Sequence, residues 1–117
     1  MKNCIFCKIV RGEAPAYKIY EDENFMAFLD IHPAVKGHTL VIPKTHYRWV
    51  YDVPNFGQYW EAALKVTKAI QKAYHPEFIR YITYGIHVSH AHIHILPQGE
   101  NIKRSFTEIT KKISQSL

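Results

Sequence analysis

The stretch Ser89-His90-Ala91-His92-Ile93-His94-Ile95-Leu96 decides how this chain is read. Imidazoles at 90, 92 and 94 alternate with the apolar residues Ala91, Ile93 and Ile95. In a β-strand the side chains at i, i+2 and i+4 share a face. The spacing therefore predicts a strand over residues 89–96 with three imidazoles on one side and three apolar groups on the other. Exposed strand positions normally take Thr, Lys or Glu rather than rings that titrate near neutrality, so a merely solvated face is a poor account of the pattern. Two chemical readings follow. The imidazoles could hold a catalytic metal, but such sites usually add Asp or Glu, and the nearest carboxylate in sequence is Glu100. Alternatively, one imidazole is a nucleophile and its neighbours supply hydrogen bonds and positive charge, which needs no carboxylate.

Working outward, residues 18–21, 25–31 and 39–43 read as strands, separated by Asp22-Glu23-Asn24 and by Pro33 with Gly37. Such short connections imply antiparallel pairing. Phe56, Tyr59, Trp60, Ala63, Leu64, Thr67, Ile70 and Tyr74 repeat at steps of three and four, the signature of a long amphipathic helix. Asn55 and Gln58 are placed for a capping box at its start, and Pro76 stops it. Residues 78–84 form a further strand before the histidine stretch. Residues 4–10 read as a short helix or turn closed by Gly12. Ser105 and Glu108 cap a last helix whose apolar residues are Ile109, Ile113 and Leu117. The result is an α+β fold, an antiparallel β-sheet with one long helix and short terminal helices, and with helices on one face.

Length and composition are consistent with that picture. At 117 residues the chain is expected to be a single domain over 1–117, with 98–117 a helical C-terminal tail. Apolar types make up 47% and charged types 21%, which excludes a disordered or fibrous chain. The longest apolar run, Phe25-Met26-Ala27-Phe28-Leu29, is far short of the ~20 residues a bilayer requires, and no signal peptide is read. A net charge of +5 favours anionic partners, but the basic residues are spread out, so no specific nucleic acid is expected. Two cysteines, Cys4 and Cys7, are too few for a disulfide framework. A Cys-x-x-Cys pair in an intracellular chain points to metal or redox chemistry, and a cytoplasmic location is expected.

His90 to Leu96 resembles the signature of the histidine triad (HIT) superfamily, His-φ-His-φ-His-φ-φ with φ apolar. Three further stretches, Cys4-Ile5-Phe6-Cys7-Lys8-Ile9-Val10, Phe28-Leu29-Asp30-Ile31 and Gly37-His38-Thr39-Leu40-Val41-Ile42-Pro43-Lys44, resemble the small bacterial branch similar to histidine triad nucleotide-binding proteins. They stand in the expected order and cover about residues 4 to 97.

The resemblance implies a HIT-fold enzyme in which His92 attacks the α-phosphorus of a nucleotide and forms a nucleotidyl-histidine. His94 would contact the phosphate and His38 would complete the constellation. Phe6, Ile9, Phe28 and Ile31 would flank the base, Asp30 would accept from the ribose, and the partner would be a purine nucleotide or nucleotide conjugate. Phosphoramidate hydrolysis is the first expectation. Dinucleoside polyphosphate hydrolysis or a non-catalytic nucleotide-binding module are the alternatives. In zinc-bearing members the metal ligands match Cys4, Cys7, His46 and His90, a structural site. A homodimer joined through the long helix and the neighbouring sheet edge is also implied. The chain departs from the family pattern in one place. Its turn before the triad, Thr83-Tyr84-Gly85-Ile86-His87-Val88-Ser89, is several residues shorter, with Ile86 at the usual glutamine and His87 at the usual hydroxyl residue. Two readings of His87 stay open: a ring turned toward the phosphate, which would compensate for the shorter turn, or a solvated turn residue.

Overall fold

A computed structural model describes residues 3–99, 102 and 105–117; Glu100 lies outside them. The elements run α1 (Ile5–Val10), β1 (Lys18–Glu21), β2 (Phe25–Leu29), β3 (Thr39–Pro43), a 3-10 turn (Val50–Asp52), α2 (Phe56–Tyr74), β4 (Phe78–Ile82), β5 (Ile93–Gln98) and α3 (Phe106–Ser114). Five strands form one sheet in the order β1-β2-β3-β5-β4, and every neighbouring pair is antiparallel. The expected α+β class holds.

Register decides which residues face the site. Phe28 pairs with Leu40, Leu40 with His94, and His94 with Ile82. Directly opposed residues project to the same side, so these four form one row across the sheet. Phe6, Met26, Phe28, Leu40 and Ile42 pack together under α1 on that side. The larger core, with Ala27, Val41, Ile93 and Ile95, lies on the other side under α2 and α3. Helices thus cover both faces. The expectation of one covered face fails because β2 and β3 are buried along their whole length, so both of their faces need cover.

Helix α2 forms where the periodicity places it, but its buried stripe is rotated. Ala62, Ala63, Val66, Ala69, Ile70 and Ala73 face the core, while Phe56 and Leu64 are 46% and 51% exposed. The run of alanines lets the helix approach the sheet closely, and the bulky residues are displaced toward β4, where Trp60 meets Tyr81 edge-on at 5.5 Å. Tyr59 anchors the helix by donating its hydroxyl to the Val41 carbonyl at 2.6 Å and stacking on Phe25. Each fully buried Val or Ile contributes about 1.5–3 kcal/mol.

Helix ends and strand ends depart from the sequence reading for local reasons. Asn55 does not cap a backbone N–H; its amide donates to the Gln58 side chain at 3.2 Å. At the other end His75 takes the left-handed conformation with φ 50° before Pro76. In α3 the Ser105 hydroxyl accepts from the Glu108 N–H and Ile109 and Ile113 are buried, but Leu117 lies past the helix and is exposed. Strand β2 stops at Leu29 because the Asp30 carboxylate accepts from the His32 N–H at 2.9 Å and turns the chain. Strand β4 stops at Ile82, three residues before Gly85 adopts φ +55°. Strand β5 starts at Ile93, not Ser89, because the Ala91 N–H is spent on the Tyr47 carbonyl at 2.7 Å.

Candidate active site

His90 and His92 therefore precede the strand, yet the alternation survives. The Phe6 ring meets His90 and His92 edge-on at 5.7 and 5.2 Å, so both imidazoles lie on the α1 side, and Ala91, Ile93 and Ile95 enter the larger core. His92 and His94 are themselves in edge contact at 4.8 Å.

Backbone carbonyls fix the protonated nitrogen of two imidazoles. A carbonyl can only accept, so the contact of 2.7 Å between His92 Nδ1 and the His90 oxygen places a proton on Nδ1. In the neutral ring Nε2 is then left with a free lone pair. His90 Nε2 donates to the Pro43 carbonyl at 2.8 Å, which frees Nδ1 on that ring. His38 is fixed in the opposite sense: its Nδ1 accepts from the Ala34 N–H at 3.1 Å, so Nε2 carries the proton and donates to His94 Nδ1 at 2.8 Å. His94 is left with Nε2–H as a donor.

Burial keeps these rings neutral. His94 is pushed down to about 4, first by burial and then by the neighbouring His92 and His38. His92 and His38 are lowered by the same loss of solvation, opposed in both by the Asp30 carboxylate. Near neutrality these neighbours therefore offer hydrogen bonds. An NMR titration of His94 should give a midpoint near 4, where an unperturbed imidazole titrates near ~6.5. The unfolded chain binds more protons between those values, so stability falls as pH drops from about 6.5 through 4.

A cavity of about 820 Å³ opens over these rings. Its lining includes His38, His92 and His94, together with Phe6, Ile9, Phe28, Asp30, Ile31 and His87, so every expected catalytic and nucleotide-contacting residue borders one space. The members differ in exposure. Phe6 and Phe28 are buried and in edge contact at 5.5 Å, whereas Ile31 is 60% exposed and His87 sits on the open rim. Ile82 and Tyr84, absent from the sequence reading, form a further apolar wall beyond the histidines. Nothing in their spacing marks them, because an exposed edge strand and a cavity wall can carry the same residues.

Among the described residues, two clusters have the donors to hold a metal. In the first, Cys4 Sγ lies 3.3 Å from His90 Nδ1, and Cys7 Sγ lies 3.3 Å from His46 Nδ1 and 3.5 Å from His90 Nδ1. All four donor atoms fall within 4.8 Å of one another. Two thiols and two imidazoles suit a tetrahedral zinc site, and the His90–Pro43 bond leaves the required lone pair facing the sulfurs. The second cluster, Asp30, His38 and His94, supplies the carboxylate missing from the sequence neighbourhood. There, however, the His94 lone pair at Nδ1 is occupied by the His38 N–H, which works against a triad-centred metal.

An antiparallel sheet carrying a tautomer-fixed imidazole beneath an apolar cavity, with partner histidines bonded in series, is a histidine triad arrangement. Residues 11–101 match the family described as HIT domain, and the chain belongs to that family. Among its relatives, "Protein hit" of Bacillus subtilis is 44% identical over 104 residues, covering 83% of this chain and 72% of that one. The adenosine 5'-monophosphoramidase HNT1 of Saccharomyces cerevisiae is 34% identical over 107 residues, covering 83% and 63%. A zinc-bound histidine triad protein from Mycobacterium smegmatis superposes with a TM-score of 0.82 at 35% identity, covering 98% and 93%.

Proposed function

We propose that the chain is a nucleotide hydrolase or transferase that cleaves nucleoside phosphoramidates at the α-phosphorus through a nucleotidyl-histidine. The observation that carries this reading is the His92–His90 carbonyl bond, which leaves Nε2 of a neutral imidazole free beside the cavity. In the first step Nε2 bonds to phosphorus, the bond from phosphorus to the leaving amine breaks, and the amine nitrogen takes up a proton from solvent water as it departs. Water then attacks the same phosphorus, breaks the bond to Nε2 and releases the nucleoside monophosphate. His94 donates from Nε2 to a phosphoryl oxygen, and the Ala34–His38–His94 series holds that donor in place. Phe6, Ile9, Phe28 and Ile31 take the base of a purine nucleotide, Asp30 accepts from the ribose, and His87 reaches the phosphate from the rim. The yeast relative's activity supports the phosphoramidate class. Release of AMP from adenosine 5'-phosphoramidate tests the reading; AMP binding without release would favour a nucleotide-binding module instead.

Cys4, Cys7, His46 and His90 are assigned to a structural Zn²⁺, supported by the donor set and by the zinc-bound relative. Bound there, the ion would cross-link α1 to the segment before β5, leaving the chemistry to His92 and His94.

A cytoplasmic homodimer completes the reading, formed from 1–117 as one unit. Among the described residues no helix is long and apolar enough to cross a membrane. Strand β4 is an open edge, and Phe56, Leu64, Phe78 and Tyr81 are exposed beside it, an apolar surface of the kind that subunits cover. Sedimentation should give twice 13.7 kDa at micromolar concentration, and Leu64→Glu combined with Phe78→Glu should return the 13.7 kDa species.

A further inference from the structure

The turn between β4 and His90 carries no regular hydrogen-bonded structure, yet it meets the nucleophilic ring. A Cβ added at Gly85 would lie 3.2 Å from His92 Cε1 and 3.6 Å from His92 Nδ1, so the Gly85 backbone is seated against that imidazole. The Phe6 ring meets the same imidazole edge-on, with centroids 5.2 Å apart. His92 is thus contacted both by α1 and by the short turn, in which Gly85 has φ +55°.

What holds the turn is Arg48. Its Nη1 donates to the Gly85 carbonyl at 2.9 Å and reaches the Val88 carbonyl at 3.5 Å. The guanidinium lies 3.6 Å from the Trp49 ring centroid, a contact that fixes its plane. Gly85, Ile86, His87 and Val88 all border the cavity. One cation therefore ties both ends of the segment that borders the cavity.

We propose that Arg48 is a positioning residue for the reaction: it clamps the shortened turn so that Gly85 seats His92 and the cavity wall keeps its shape. This rests on the phosphoramidate reading above. Neither lysine nor glutamine reproduces the clamp, because the planar fork that stacks on Trp49 while donating to carbonyls is particular to arginine.

The test compares wild type, Arg48→Ala, Arg48→Lys and a surface control, Lys68→Ala, all first checked for an intact melting transition. Arg48→Ala should lower kcat for adenosine 5'-phosphoramidate at least about tenfold while KM and AMP affinity stay within about threefold, since hydrogen bonds to a charged group are being lost from a positioning element. Amide deuterium exchange over Tyr84–Val88 should rise about tenfold or more, with α2 unchanged. Millimolar guanidinium should restore part of kcat in Arg48→Ala, whereas Arg48→Lys should remain impaired, and Lys68→Ala should match wild type. A kcat within about twofold of wild type in Arg48→Ala, or unchanged exchange in the turn, would overturn the proposal. If wild type itself releases no AMP, the phosphoramidate reading falls, and the exchange of the turn alone decides whether Arg48 clamps it.

Discussion

Substitution of His92 by alanine is expected to slow AMP release from adenosine 5'-phosphoramidate by at least about a thousandfold, with AMP affinity kept within about threefold. A covalent route lost outright costs several powers of ten in rate, each worth ~1.4 kcal/mol of transition-state stabilisation. On the proposed reading binding is spared, because the base is assigned to the slot lined by Phe6 and Phe28 and because His92 near neutrality carries no charge for the phosphate to meet. Wild-type protein quenched in base during turnover should carry one added nucleoside monophosphoryl group by mass, and the variant should carry none. Turnover above about a tenth of wild type would remove His92 from the role.

The second large effect concerns the cysteines. Protein purified without added metal should contain one zinc per chain, and Cys4→Ser combined with Cys7→Ser should abolish it and lower the melting temperature by roughly 10 °C or more. The two sulfurs are the donors that draw α1, a helix of only six residues, onto the segment around His90. Burial and the neighbouring Cys4 raise the Cys7 thiol, so without a cation Cys7 stays protonated near neutrality and contributes little attraction of its own. Elemental analysis and a melting curve with and without chelator measure both quantities. Zinc far below one equivalent, or a double variant as stable as wild type, would exclude the structural ion.

Much of this was legible in the residues, and the parts that were not have definable causes. Strands β1 and β3 fall where the flanking turn residues put them; Asp22 accepts from the Asn24 and Phe25 N–H groups and forces the reversal from β1 into β2. The alternation at His90, His92 and His94 correctly assigns the faces even though the strand begins only at Ile93. Periodicity placed α2 and Tyr59, Ala63, Thr67, Ile70 and Tyr74 of its buried stripe, but it took Phe56 and Leu64 in place of Ala62, Ala69 and Ala73, whose small size allows close approach to the sheet. The catalytic geometry depends on carbonyls of Pro43 and His90 and on the Ala34 N–H, groups that every sequence contains and none advertises. Arg48 was invisible for a related reason: its partners are main-chain atoms 37 and 40 residues away.

Phe6 gives the N-terminal helix a thermodynamic role. It stands between the two cysteines in sequence, and its ring touches Phe28 of the proposed base slot and both His90 and His92. Free energy spent on ordering α1 from the sulfur side is therefore shared with whatever occupies the slot on the ring side. Linkage makes the exchange symmetrical: a cation that tightens nucleotide binding must itself be held more tightly, by the same factor, when nucleotide is present. Nucleotide should thus raise the chelator concentration needed to remove half of the metal at equilibrium, with no direct contact between the two ligands.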